Sequence, residues 1–169
     1  MSGFQIGDTD AGALFVGDGS HRLTLWRRWV PQCPTRRMVA FVGVNPSTAD
    51  AEKLDPTNTR CVNFAKDWGF DGYIMLNLFS IVSTDPQGML ASDNPNWVTN
   101  TLAILHCTHD IGRIVCAWGV HGQHQGRGTQ LAELLRRVGR KLHHLGLNRD
   151  GTPKHPLYLR RDTVPVLWE

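Results

Sequence analysis

Three short apolar runs, each stopped by glycine or asparagine, constrain what this chain can fold into more than any other feature. Residues 37–42 (RMVAFV) run into Gly43, residues 73–76 (YIML) into Asn77, and residues 113–118 (RIVCAW) into Gly119. Continuous apolar, partly β-branched stretches of this length are the pattern of strands buried on both faces of a parallel sheet. Residues 142–147 supply a fourth such stretch and 164–168 a short terminal strand. Helical patterns lie between them. Asp55-Pro56-Thr57 opens one, with Cys61, Val62, Phe64, Ala65 and Trp68 on one face and Gly69 as its stop. Residues 97–106 and 129–138 give two more. Upstream, Gly17-Asp18-Gly19 separates 13–16 from an alternating segment, 21–27, in which Leu23, Leu25 and Arg27 share a face. This predicts a β-hairpin. The first ten residues read as a loose tail and 83–95 as a loop. The expected fold is α/β, a three-layer sandwich whose central sheet has about four mostly parallel strands, with an N-terminal β-hairpin added.

At 169 residues the chain suits one domain with a full core, and a monomer is expected. No apolar run is long enough for a membrane-crossing helix, and Met1 to Asp10 lacks the features of a signal peptide. A cytoplasmic protein is therefore expected. The formal charge of +3 permits a polyanionic partner without requiring one. Cys33, Cys61, Cys107 and Cys116 form no C-x-x-C pair, which argues against a zinc or iron–sulfur site. The pairs His121/His124 and His143/His144 lack carboxylates at metal-ligating spacing. The phosphate-loop, dinucleotide and nucleophile-elbow signatures are absent, and no metal or other cofactor is expected.

Ligands of such sheets sit beyond the carboxyl ends of the strands. Four segments fall there. In Gly43-Val44-Asn45-Pro46-Ser47, Asn45 either caps its own loop or holds a water through its carbonyl oxygen. Asn77 either bonds neighbouring backbone or offers a donor and an acceptor to a pyrimidine edge; Phe79 is a core residue or a base stack. Trp118-Gly119-Val120-His121-Gly122 sets His121 in a glycine-flanked loop that either brings backbone amides to a phosphate or is a solvated turn, and Arg127 extends it. His155, held extended by Pro156, is either a surface histidine or steadies a developing anion. Tyr158, Arg160 and Arg161 follow it, an aromatic–basic mixture that suits either a nucleic-acid contact or a solvated turn.

Taken in order, these segments resemble the motifs of the uracil-DNA glycosylase superfamily. Gly43-Val44-Asn45-Pro46-Ser47 is similar to the G-x-N-P-G motif of the mismatch-specific members, where the Asn positions the attacking water. Ile74-Met75-Leu76-Asn77 resembles the L-L-L-N strand end that reads uracil, and Ala117-Trp118-Gly119-Val120 resembles L-W-G-S. His155-Pro156-Leu157-Tyr158-Leu159 is similar to H-P-S-P-L, whose His bonds the departing base and whose following residues wedge into the duplex. Ser47 stands in place of Gly, Leu157-Tyr158 in place of Ser-Pro, and the 50–54 loop lacks the base-stacking aromatic, leaving Leu54 or Phe79. The strings NPSTAD, AWGVHG and HPLYL also resemble a widespread bacterial family of uncharacterised proteins.

The resemblance implies a monofunctional DNA glycosylase that flips out a deaminated or modified base such as uracil. Asn45 and His155 would be catalytic. Gly43, Val44, Pro46, Ser47, Leu54, Asn77 and Phe79 would surround the base. His121, Arg127, Tyr158, Leu159, Arg160 and Arg161 would contact DNA. Because a carboxamide cannot take a proton at neutral pH, Asp50 or Asp55 is the alternative general base. The rival expectation is a non-catalytic protein that binds a nucleobase or nucleic acid, and a third is a partner-binding domain with no ligand.

Overall fold

The computed structural model describes residues 9–91 and 96–169. One seven-stranded sheet organises the chain: β1 (Ala11–Val16), β2 (His21–Arg28), β3 (Met38–Gly43), β4 (Gly72–Asn77), β5 (Arg113–Cys116), β6 (Leu142–His144) and β7 (Val166–Leu167). Their spatial order is β1-β2-β4-β3-β5-β6-β7. Four helices accompany it: α1 (Pro56–Asp67), α2 (Pro86–Ala91), α3 (Trp97–Cys107) and α4 (Arg127–Arg137).

The apolar runs form strands for the reason their composition suggests. In β3, Met38 to Val42 are fully buried, and the strand pairs in parallel with β4 on one side and β5 on the other. Alternate residues supply two cores. Ala40, Val42, Ile74, Leu76 and Ile114 meet Ile104 of α3 and Leu131 and Leu135 of α4. Val39, Phe41, Tyr73, Met75 and Val115 meet Cys61, Phe64 and Ala65 of α1. Trp68, just past α1, stacks on Phe41 and Phe64. The N-terminus of α1 is fixed by Asp55, whose carboxylate accepts from the Asn58 backbone N–H at 2.8 Å.

The expected sheet of about four mostly parallel strands is corrected. The sheet is mixed: β3·β4, β3·β5 and β5·β6 are parallel, while β1·β2, β2·β4 and β6·β7 are antiparallel. The hairpin is no appendage, because β2 pairs with β4, Leu25 opposite Met75, and so covers an edge that would otherwise be unpaired. The terminal strand β7 does the same for β6. The fourth strand is half its expected length, since Gly146 takes φ +118° and donates its N–H to the His144 ring at 2.9 Å. Part of the expected 83–95 loop is α2, anchored by Met89 in the core; 92–95 lie outside the described residues. Of the expected tail, 1–8 likewise lie outside, but Asp10 is joined to β2 by Arg28 N–H at 2.7 Å.

All four cysteines are buried, and Cys33, Cys61 and Cys116 are free thiols. Among the described residues no helix is long and apolar enough to cross a membrane, and no cluster of three or more His, Cys, Asp or Glu could hold a metal.

Candidate functional site

A cavity of about 500 Å³ lies at the carboxyl ends of β3, β4 and β5, on the α1 side of the sheet. The loop after β3 supplies Gly43, Val44, Asn45 and Ser47; β4 supplies Met75 and Asn77; the α1 cap supplies Asp55, Thr57 and Asn58. The segment 155–158 closes one side. That segment is tied down at both ends. Gly119 N–H donates to the Pro153 carbonyl at 2.9 Å, and Lys154 N–H to the Gly146 carbonyl at 2.9 Å. Beyond it, the Arg60 guanidinium of α1 donates to the Leu159 carbonyl.

Asn77 ends β4 and is 3% exposed. Its side-chain Nδ2 is buried and has no hydrogen-bond partner among the described residues. A buried amide left unpaired costs its desolvation, and Asn77 carries that cost in a residue that lines the cavity. Gly43 makes this placement possible: a Cβ there would sit 2.9 Å from Asn77 Oδ1.

Asn45 behaves otherwise. Its Nδ2 donates to the Pro46 carbonyl at 3.0 Å and to the Ser83 carbonyl at 2.9 Å. Both amide protons are spent on backbone, and Oδ1 is left as an acceptor. The group can orient a water by accepting from it, but cannot remove its proton.

His155 keeps an exposed edge, yet its surroundings desolvate the imidazolium and lower the pKa, an effect opposed by the negative charge of Asp55. Its Nδ1 accepts from Leu157 N–H at 3.3 Å. That bond selects the tautomer with the proton on Nε2, which makes the neutral ring a donor there. Gly119, at φ +68°, passes behind it; a Cβ would lie 3.5 Å from that of His155.

Asp55 and Arg22 complete the wall. One Asp55 oxygen accepts from both the backbone N–H and the side-chain Nδ2 of Asn58, leaving the second for the cavity. Tyr73 holds Asn58 from behind, its hydroxyl donating to Asn58 Oδ1 at 3.1 Å. Arg22 owes its position to an irregularity in β2. Leu14 faces Thr24 and Phe15 faces Arg22, so Leu23 has no partner in β1. Such a bulge shifts side-chain alternation by one. Strict alternation would put Arg22 with Trp26, in the α3–α4 core. Instead its Nη1 donates to the carbonyl of Ala49, a residue of the α1-side core, at 2.5 Å.

The structure thus brings together Gly43, Val44, Asn45, Ser47, Asn77, His155 and Tyr158 of the expected residues. Pro46 is buried in the same loop. Leu54 packs on the α1-side core, and Leu159 does the same. Phe79 is 3% exposed within the other core, tilted against His124. His121 is half-buried and off the cavity wall. Arg127 is buried, donating to Thr101 Oγ1 at 3.1 Å with its guanidinium over Trp97. Arg160 and Arg161 are exposed and paired with Asp162 and Asp67. Sequence reading missed Arg22, although a charge inside the buried alternation of β2 was a signal.

The chain matches, over residues 22–157, a family described as protein of unknown function, DUF1643, and belongs to it. Neither curated proteins nor solved structures gave a match. The match ends within the His155-Pro156-Leu157 segment and includes every other wall of the cavity except Tyr158.

Proposed function

We propose that this chain hydrolyses the N-glycosidic bond of a deaminated or modified base in DNA. One observation carries the reading: the buried, unpaired amide of Asn77 shares a cavity with a His155 ring whose donor is Nε2. The resemblance of Gly43-Val44-Asn45-Pro46 and His155-Pro156 to glycosylase motifs supports it. Asn77 bonds the edge of the flipped base. As the C1′–N bond breaks, its electron pair passes to the base, and His155 Nε2–H donates to the carbonyl oxygen where negative charge gathers. Asn45 Oδ1 orients a water toward C1′, and the free oxygen of Asp55 accepts the water's proton. Tyr158, 93% exposed at the rim, is suited to stack or wedge in DNA, with Arg160 and Arg161 beyond it. A cytoplasmic setting fits this reading and the free thiols of Cys33, Cys61 and Cys116.

The test is incubation with oligonucleotides carrying uracil, hypoxanthine or xanthine, followed by alkaline cleavage of abasic sites. Excision of at least one base is expected. Full excision by both Asn45→Ala and His155→Ala would remove this site assignment. A second reading, base binding without cleavage, is favoured by the engagement of Asn45 Nδ2 with backbone. Base binding with no abasic product would establish it.

A further inference from the structure

At the end of the sheet opposite that cavity, the amino ends of β5 and β6 border a cleft of about 430 Å³. Two loops frame it, one after α3 and one after α4. Helix α4 stops at Gly139, φ +80°, in a Schellman turn. Gly139 N–H donates to the Arg136 carbonyl and Arg140 N–H to the Leu135 carbonyl, both at 2.9 Å. The chain enters β6 directly afterwards, which brings Arg140 and Lys141 to the start of that strand. Strands β5 and β6 run parallel, with Ile114 beside Leu142 and Val115 beside His143. One place earlier, Arg113 therefore stands beside Lys141, and the period of two puts both on the face of the sheet that carries His143. His109 joins them from the loop after α3.

Five basic side chains thus line the cleft, and no described acidic residue does. Asp110, in the same loop as His109, is exposed and off the wall. Arg113, Arg140 and Lys141 form no ion pair among the described residues. Arg113 lies over the Phe70 ring, 5.7 Å from its centroid, and Arg140 Nη1 donates to the Val138 carbonyl at 3.3 Å. Like charges side by side on neighbouring strands destabilise a sheet. The core does not call for a lysine here, because Lys141 is exposed. Burial, and then the positive neighbours Arg113, His144 and Lys141, hold the His143 pKa below its ordinary value. Only the Ile114 carbonyl, which accepts from His143 Nδ1 at 3.2 Å, works the other way. The cleft carries a positive field that its own wall leaves uncompensated.

We propose that this cleft binds the phosphate dianion of a small phosphorylated molecule, at a site apart from the excision chemistry proposed above. Arg113 and Arg140 supply planar forks that match phosphate oxygens, and Lys141 supplies a point charge. The bound dianion offsets the repulsion between Arg113 and Lys141. A backbone phosphodiester, with one charge, fits less well. The cations converge on a concavity, and no aromatic side chain on its wall offers a stacking surface to the bases of a passing strand. The volume is in the range of small-molecule pockets and leaves room for the group that bears the phosphate.

The test is a titration of the full chain with inorganic phosphate, adenosine 5′-monophosphate and dimethyl phosphate at constant ionic strength. At about pH 8 the first two are mainly dianions and the third is a monoanion. Histidine ring resonances report the site by NMR. Those of His109 and His143 are expected to shift saturably, while that of His21, bonded to Ser80 on β2, stays in place. The dianions are expected to bind at least roughly tenfold more tightly than dimethyl phosphate. Equal affinity for the two dianions would mark the free anion as ligand, and tighter binding of the nucleotide a phosphomonoester; both support the site. Lys141→Glu places a carboxylate beside Arg113. It is expected to weaken dianion binding by roughly tenfold or more, at a melting temperature unchanged or raised. The titration of the unaltered chain stands if that variant fails to fold. No saturable shift at His109 and His143, equal binding of dimethyl phosphate, or undiminished affinity in Lys141→Glu would each overturn the proposal. So would displacement of the nucleotide by an oligonucleotide without terminal phosphates, which would make the cleft a nucleic-acid contact. Lys141→Glu is expected to leave any base excision unchanged, so this site and the glycosylase reading stand or fall separately.

Discussion

Arg22 and Arg127 are the same residue in two settings. Both are buried, at 1% and 7% exposure, both have an Nε with no partner among the described residues, and desolvation lowers the pKa of both. Arg127 lies on the α3–α4 side, its guanidinium 5.6 Å from the Trp97 ring centroid and bonded to Thr101. Arg22 lies on the α1 side and borders the cavity that holds Asn77 and His155. An aromatic face and a hydroxyl give Arg127 neutral company that packs. Arg22 has carboxylates at a distance and open volume beside it. A buried guanidinium therefore does not define a site. Its meaning comes from what fills the space around it.

The contrast can be broken most decisively at the cavity. On the proposed glycosylase reading, Asn77→Ala and His155→Ala each remove one donor to the base, and excision is expected to fall by roughly 100- to 1,000-fold in kcat. Steady-state kinetics on the best substrate of the oligonucleotide panel measures this; a loss under tenfold for both would erase the distinction between the two sides. Gly43→Ala is a milder probe. Its Cβ would press on Asn77 Oδ1 and shift the amide, with an expected loss of roughly ten- to 100-fold at an almost unchanged melting temperature. Tyr158→Ala is expected to weaken binding of the substrate oligonucleotide by about tenfold, measured by fluorescence anisotropy, while leaving free-base affinity unchanged.

On the opposite side, Arg127→Met is expected to leave excision within about twofold, with a melting temperature unchanged or raised, because an apolar replacement of a buried charge is often neutral or stabilising. A loss matching that of Asn77→Ala would show that the α3–α4 side carries the chemistry. The smallest effect is in acid. Burial lowers the pKa of His143 and His144, so the folded state favours their neutral forms. The stability this gives is present above the ordinary histidine value, about 6.5, and is lost as pH falls through the lowered folded values. Melting temperatures should be level between about pH 7 and 8 and decline shallowly below about pH 6.5. His143→Gln should flatten that decline.

What sequence could and could not show follows from the range of each interaction. The strands β3, β4 and β5 were readable because burial on both faces leaves a local signature. Asp55 as a helix cap was readable because capping acts over three residues. The partner of β2 was not, since the pairing of Leu25 with Met75 spans some 50 positions and no alternation encodes it. α2 was hidden for a related reason: a six-residue helix has little propensity of its own, and Met89 holds it only through a core built elsewhere. At the site, Asn45, Asn77 and His155 stood out because each ends an apolar run or precedes proline. Arg22 did not, because its direction depends on Leu23 being skipped by β1, a matter of register between two strands.

That skipped residue also bears on how members of this family are to be compared. A strand counts its residues as odd and even, and the bulge resets the count at Leu23. Deleting Leu23 would make the pairing regular, with Thr24 still opposite Leu14 and Arg22 still opposite Phe15, so the cation would keep its side of the sheet. In a relative that lacks the extra residue, the cation equivalent to Arg22 stands one place away in number. Aligned columns would then show a variable position, although the same charge occupies the same point in space. Comparison across the family is best anchored on Asn77 and read outward across the sheet.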